Sequence, residues 1–488
     1  MKKDHFILFL FVILSSLLSF SLMTRGHLWW DDFASYIMQA QSILQGNMAE
    51  FIRRNTISIE QSSAPVGPIA YPWGFPLLLV PLYAIFGINL LVFKLVNILF
   101  YALFLPLFYS FLRNRLPVSS SLTIIALLAF SPPILDRFDI IQSDIPFLFF
   151  STLGLILLDQ LYKDEEHSRR FKITLGLVMF AAYFLRTNGV LLIVSLLALD
   201  VLKGWPRKRA ILARIRLNAA VYITFFACAV AEKLIFPGGQ GSYFSHFSMF
   251  SVERLLDNIA FYLTLPANFF DLFTPIEVLT PAEYVIAFVA AFLGIYGIWR
   301  RFWDETPILL YALLTFSMFI LWPERQGLRF IYPIVPFLLY FAFAGGYQMA
   351  ESLNPLAENM LLGVWIGLAA VSFGTSLTLG GLLTGVRPSI NGPFDPVSAQ
   401  MFEYIREETP PDSLIVFFKP RVMRLMTDRD AIMLRECERL GMGDYVVIRD
   451  NNGENDQVDP DRIKKCGKDF PLTKVYGNKR FTVYKVGP

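Results

Sequence analysis

The chain has 488 residues, 55% of them hydrophobic and 15% aromatic, with 47 Phe and only 17% charged, against roughly 25% charged in soluble proteins. These proportions exclude a soluble globular protein and define a polytopic membrane protein. A net charge of +3 gives no support for nucleic-acid binding, and the sequence has neither a Walker-type phosphate loop nor a dinucleotide fingerprint, which argues against a nucleotide donor.

In chain order, the uncharged run from Phe6 to Met23 comes first. It follows Lys2 and Lys3 as a secretory signal would, but no small-x-small cleavage site ends it, so it reads as a retained first span. With about 20 apolar residues needed per crossing, further spans are expected near 89–112, 120–136, 144–162, 171–185, 189–203, 211–236, 282–299, 306–322, 328–348 and 359–382. The stretches 75–87 and 259–273 are shorter and carry Pro, which suits interfacial or re-entrant segments. The expected fold class is a polytopic α-helical membrane protein of about 11–13 spans.

Basic residues in short loops orient such a chain. Lys2 and Lys3, Arg113 and Arg115, Lys163 with Arg169 and Arg170, the cluster from Lys203 to Arg216, and Arg300 with Arg301 fall in alternate loops, which are expected to be cytoplasmic. The loops 25–74, 137–143, 186–188, 237–281 and 323–328 then face outward. The loop 349–358, with Glu351 and Glu358 and no base, is neutral on the point. An odd number of spans places the last hundred residues outside, on the side of Asp31 and Asp32.

Near residue 385 the composition changes. From there to Pro488 stand 17 Lys+Arg and 16 Asp+Glu, so residues 385–488 are expected to form a soluble domain distinct from the membrane domain 1–384. Alternation in "DSLIVFFKP", "DYVVIRD" and "KRFTVYKV" predicts strands, and "PVSAQMFEYIREETP" has helical spacing between prolines, so this domain should be small and α+β. Cys228 lies in an apolar span and reads as packing. Cys437 and Cys466 are free to pair in an oxidising compartment, although spacing alone leaves that bond open.

The residues able to carry chemistry begin with Asp31 and Asp32, behind Trp29 and Trp30. They read either as a solvated pair beside an aromatic belt or as working groups at a membrane surface. After them Tyr36, Ala40 and Leu44 recur at spacing four up to Gly46, an amphipathic helix, and a Pro-rich return, "APVGPIAYPWGFPLLLVPLYAIFG", closes a cavity at the interface.

The acidic pair, Tyr36, Ala40 and Gly46, "YPWGFPLLLVPLYAIFG", "SDIPFLFF" at 143–150, "LRTNGVLLIVSLL" at 185–197 and "RFIYPIVPFLLYFAFAGG" at 329–346 follow in an order that resembles the GT-C class of membrane glycosyltransferases. Within it the chain is similar to the protein O-mannosyltransferase and lipid A aminoarabinose transferase group, down to the tail "YIREETPPDSLIVFFKPRVMRLMTDRDAI". The resemblance implies transfer of a sugar from a polyprenyl-phosphate carrier to a lipid, glycan or protein acceptor on the outer face of the membrane, with an acidic residue of the first outer loop as base. That role falls on Asp31 or Asp32; the family's Asp-Glu is here Asp-Asp. Asp31 is expected as the base and Asp32 as its orienting partner.

A leaving phosphate calls for cations. Arg186 in "FLRTNG" and Arg329 in "RFIYPIVP" are at outer membrane edges and offer the planar fork that suits phosphate; each also reads as a snorkelling arginine. Lys94, about a turn inside a span, is placed to reach phosphate or headgroups, and Tyr332 belongs to the Arg329 motif. Asp144 matches the family's cavity-lining acid and equally suits a helix N-terminus with Ser143 and Pro146. Arg325 and Glu324 read as a local pair. The four His residues, 5, 27, 167 and 246, have no metal-ligand spacing; no cofactor is required, and the acidic pair leaves a divalent ion open without demanding one. "GGQG" at 238–241 opens a long outer loop, expected to be flexible. The lack of long inserts suits a bacterial chain in the inner membrane. The alternative of a transporter or flippase calls for paired repeats with broken helices, and no internal repeat is visible.

Overall fold

The computed structural model describes residues 3–64, 66–164, 166–205, 207–238, 251–272, 280–322, 325, 327–380, 390–450, 456–466 and 471–487. The eleven stretches expected to cross the membrane fall on helices, the last of them described as far as Gly380, but they differ in length. Among the described residues six helices are long and apolar enough to span: Lys3–Leu22, Leu90–Arg113, Asp144–Lys163, Thr187–Gly204, Pro281–Arg301 and Pro355–Gly380. Two bent pairs raise the number to as many as eight. Val118–Ala129 turns by 48° into Pro132–Asp139, where two consecutive prolines cannot continue the hydrogen-bond ladder. Lys208–Leu217, which is basic, turns by 65° at Asn218 into the apolar Ala219–Ile235. Gly74–Phe86 and Thr306–Leu321 are shorter apolar helices.

Small residues set the closest approach of spans. Pro281–Arg301 crosses Val335–Leu353 so tightly that a Cβ on Gly297 would meet Phe341 O at 2.1 Å and one on Gly345 would meet Leu293 O at 2.0 Å.

After the first span the chain crosses to the helix Asp32–Gln45, whose apolar face, including Phe33, Tyr36, Ile37 and Ala40, is buried. Gly46, at φ 70°, ends it by returning its N–H to Ile43 O. Met48–Glu60 follows, and the Pro-rich segment leads back into Gly74–Phe86.

The expected domain boundary near 385 lies outside the described residues. Beyond it, the helix Pro396–Glu408 precedes a five-stranded sheet made of β1 (Leu414–Val416), β2 (Asp430–Ile432), β3 (Tyr445–Arg449), β4 (Leu472–Gly477) and β5 (Phe481–Val486), in the order β2-β1-β3-β5-β4. β1 is parallel to β2 and β3, with Ile415 opposite Ala431, while β3–β5 and β5–β4 are antiparallel. Cys437 and Cys466 form a disulfide with Cα atoms 5.0 Å apart. The predicted strands are β1, β3 and β5. The pattern does not mark β2 or β4, and most positions of β4 are exposed.

This sheet region packs on the first outer loop. Trp29 is buried with its ring 5.0–6.3 Å from those of Phe402, Phe417, Phe418 and Phe481, so it is a core residue of this junction and no membrane-belt tryptophan. Arg54 bridges to Asp428 and Asp430 at 2.5 and 2.7 Å. The sheet and the acidic pair therefore lie on one side of the membrane bundle.

Candidate active site

Between the helical bundle and the sheet lies a cavity of about 510 Å³ lined by Trp29, Trp30, Asp31, Asp32, Val66, Arg137, Gly327, Leu328, Arg329, Lys419, Met433, Arg435 and Asp456. Its residues come from the first loop, the turn Asp136–Asp139, the turn Leu328–Ile331 and the sheet region.

Asp31 stands where the first loop enters the helix Asp32–Gln45, facing the N-terminus of the helix Pro420–Thr427. Pro420 opens that helix with its φ already set, and Asp428, at φ 57°, closes it. The backbone N–H groups of Arg421 and Val422 donate to Asp31 Oδ1 at 3.1 and 3.4 Å, where helix-end partial charge favours an anion. Arg421 Nε lies 3.5 Å from Asp31 Oδ2. Burial, with the Asp32 charge adding to it, pushes Asp31 up to about 6, although Arg421 and Lys419 pull it down. Asp32 is half-buried and its Oδ1 accepts from Tyr71 Oη at 2.6 Å. Burial and the Asp32 charge hold Tyr71 well above the usual phenol range, so it is a neutral donor.

Arg329 faces this pair. Its Nη1 donates to Gln142 Oε1 at 2.7 Å and lies 4.0 Å from Asp144 Oδ2, and its guanidinium stacks over Trp30 and Phe330 at 5.6 and 4.8 Å. Arg137 lies over the same Trp30 ring at 6.0 Å. On the sheet side, Lys419 and Arg435 both bind Asp456, at 2.8 and 2.6 Å.

The residues singled out from sequence divide into three sets. Asp31, Asp32 and Arg329 meet in the cavity. The buried Asp144 pairs with the partly exposed Arg186 just behind Arg329, with Arg186 stacked on Phe330 at 4.7 Å. Lys94 and Tyr332 are outside the cavity lining. Lys94 Nζ donates to Thr24 O, Gly26 O and Asp139 Oδ1 at 2.9, 2.7 and 2.6 Å, which engages all three ammonium protons in pinning the start of the first loop. Tyr332 Oη donates to Pro133 O at 2.9 Å. The expectation that either side chain reaches a phosphate therefore meets a geometry that uses it for packing.

His27 is buried and stacked on Phe33, with its ring nitrogens facing Leu28 O and the Ile141 N–H. Burial lowers its pKa to about 3, and its place is structural. Arg325 pairs with Asp257 at 3.1 Å; Glu324, residues 239–241 of "GGQG" and His246 lie outside the described residues. Among the described residues no group of three His, Cys, Asp or Glu side chains is placed to hold a metal ion.

Sequence reading missed Arg137, Lys419, Arg435 and Asp456. Arg137 carried a signal, since it stands between Asp136 and Asp139 just before the matched "SDIP" motif. The others have none without the contact between sheet and first loop.

The multi-helix bundle with its acidic first loop and appended sheet has the GT-C fold that the sequence resemblance implies. Solved structures that share it include ArnT from Cupriavidus metallidurans in the apo state, with TM-score 0.57 and 13% identity over 98% of each chain. The same protein bound to undecaprenyl phosphate gives TM-score 0.53 and 14% identity over 98% of each chain. The Archaeoglobus fulgidus oligosaccharyltransferase in the apo form gives TM-score 0.60 and 11% identity, over 92% of this chain and 70% of that one. At such identities the likeness is one of fold. No protein-family model matches the sequence, and no curated protein matches it.

Proposed function

We propose that the chain is a multi-pass glycosyltransferase of the membrane that moves a sugar from a polyprenyl-phosphate carrier to an acceptor hydroxyl. The observation that carries this reading is the single cavity in which Asp31 and Asp32 share space with Arg329, Arg137, Lys419 and Arg435. A carboxylate takes the acceptor's proton as the acceptor oxygen bonds to the anomeric carbon. The bond from that carbon to the carrier phosphate breaks, and its electron pair leaves with the phosphate, whose charge the cations neutralise.

The carriers bound by proteins of this fold support the donor class. ArnT has been solved with undecaprenyl phosphate and the archaeal oligosaccharyltransferase AglB with a dolichol-phosphate. In this reading the cavity opens at the outer face of a bacterial inner membrane, the donor carries a hexose or pentose on undecaprenyl phosphate, and the acceptor is a lipid, glycan or protein. The reaction needs no cofactor beyond the lipid-linked donor.

The test is transfer of radiolabelled sugar from polyprenyl-phosphate donors to membrane acceptors by purified wild type and by an Asp31→Asn, Asp32→Asn double variant. Label in the wild-type product and none with the variant is the expected result. Absence of transfer by wild type from every donor would overturn the reading in favour of transport or binding.

A further inference from the structure

Arg421 is a fully buried side chain, second in the helix Pro420–Thr427 of the sheet region, yet its guanidinium reaches the first outer loop. Its Nη1 lies 3.5 Å from Tyr71 Oη, its Nη2 donates to Pro68 O, and its Nε faces Asp31 Oδ2 at 3.5 Å. The loop is shaped to admit it. Gly67 has φ +125°, and a Cβ there would come within 2.9 Å of Arg421 Nη1 and 3.0 Å of Tyr71 Oη. Tyr71 in turn donates to Asp32. A relay therefore runs from the sheet region to the second carboxylate: Arg421 to Tyr71 to Asp32.

The two carboxylates are not equivalent in this arrangement. Asp31 is 8% exposed, its Oδ1 is engaged by two backbone N–H groups and its Oδ2 faces a guanidinium. Asp32 is more open, and Tyr71 is its one hydrogen-bond partner among the described residues. A base needs a lone pair within hydrogen-bond reach of the acceptor proton. We propose that Asp32 is the carboxylate that takes the acceptor proton, that Asp31 anchors the C-terminal sheet region, and that Arg421 is a positioning residue holding Tyr71 against Asp32. This rests on the transferase reading and reverses the order expected from sequence. Asp31's raised pKa would suit a base, but its Oδ1 is taken by the helix end, and its Oδ2, which makes no hydrogen bond, is buried 3.5 Å from Arg421 Nε. A desolvated arginine is held only where its partners compensate it, and here those partners are the anchor, the loop and the relay.

The test is steady-state transfer by full-length protein in membranes, comparing Asp32→Asn, Asp31→Asn, Tyr71→Phe, Arg421→Met and Arg421→Lys. Loss of the base should lower kcat by about a hundredfold or more in Asp32→Asn, whereas Asp31→Asn, which keeps an acceptor oxygen for the helix end, should lose less than about tenfold. Arg421→Met and Tyr71→Phe should each lower kcat about tenfold with donor KM within about twofold, and Arg421→Lys should recover part of the loss. Tyr71→Phe removes one hydroxyl and keeps the relay testable if Arg421→Met fails to fold. An inactive Asp31→Asn beside an active Asp32→Asn would overturn this assignment alone, as would wild-type kcat in both Tyr71→Phe and Arg421→Met. A wild type that transfers no sugar would overturn the transferase reading and this inference with it.

Discussion

Arg421 and Asp31 are 390 residues apart in the chain and 3.5 Å apart in the structure. Both are buried, and each is close to a part of the cavity that the other's segment builds. The contact makes the C-terminal sheet region a wall of the same cavity that the first loop supplies with carboxylates. Four consequences can be measured.

Asp31 ties stability to pH. Its pKa rises from 3.8 to about 6 on folding, chiefly through burial, so the folded state favours the protonated form. That stabilisation is complete below 3.8 and is lost as pH rises through about 6. Between pH 4.5 and 7 the loss amounts to about 2 kcal/mol. Thermal unfolding in detergent at the two pH values should show wild type losing this much relative to Asp31→Asn. A constant difference between the two proteins would refute the linkage.

Arg329 should act on donor binding. It stacks on Trp30 and Phe330 while its Nη1 is held by Gln142, which presents a planar fork that lysine cannot replace. Arg329→Lys should raise the donor KM about tenfold, the worth of one charged hydrogen bond. Measured KM values for a polyprenyl-phosphate sugar decide it, and an unchanged KM would move the phosphate to Arg137 and the Lys419 side.

Lys94 should matter for folding and little for kinetics. It is fully buried and paired with Asp139 at 2.6 Å, so Lys94→Met leaves that carboxylate without its cation, at a cost of about 3–5 kcal/mol. A marked fall in melting temperature, with donor KM unchanged in the surviving enzyme, is the expected pattern. A raised KM at unchanged stability would restore Lys94 as a phosphate ligand.

The disulfide brackets part of the cavity wall. Cys437 follows Arg435 by two residues, and Asp456 lies within the 29-residue separation that Cys437 and Cys466 close. Closing a loop of that length is worth about 3–4 kcal/mol. Cys466→Ser should lower the melting temperature and raise the donor KM together, because it releases the segment that carries Asp456 and, through it, Lys419 and Arg435. A variant with lowered stability and native KM would show that this wall holds without the bond.

Much of the molecule is written in local chemistry. Long apolar runs made the chain a membrane protein, since each span is a property of some 20 consecutive residues, and alternation marked β1, β3 and β5. The acidic pair stood out because carboxylates are costly beside a bilayer. Lys94, a charge inside a span, is satisfied in the structure by two backbone carbonyls and Asp139. What only the tertiary structure decided is the different surroundings of Asp31 and Asp32 and the second wall of the cavity. Arg421 reads in sequence as one more basic residue of a short helix, and Trp29 as one more interfacial tryptophan. Their burial comes from docking segments almost four hundred residues apart. No periodicity records that docking, because it depends on how the whole bundle closes and on no pattern within either segment.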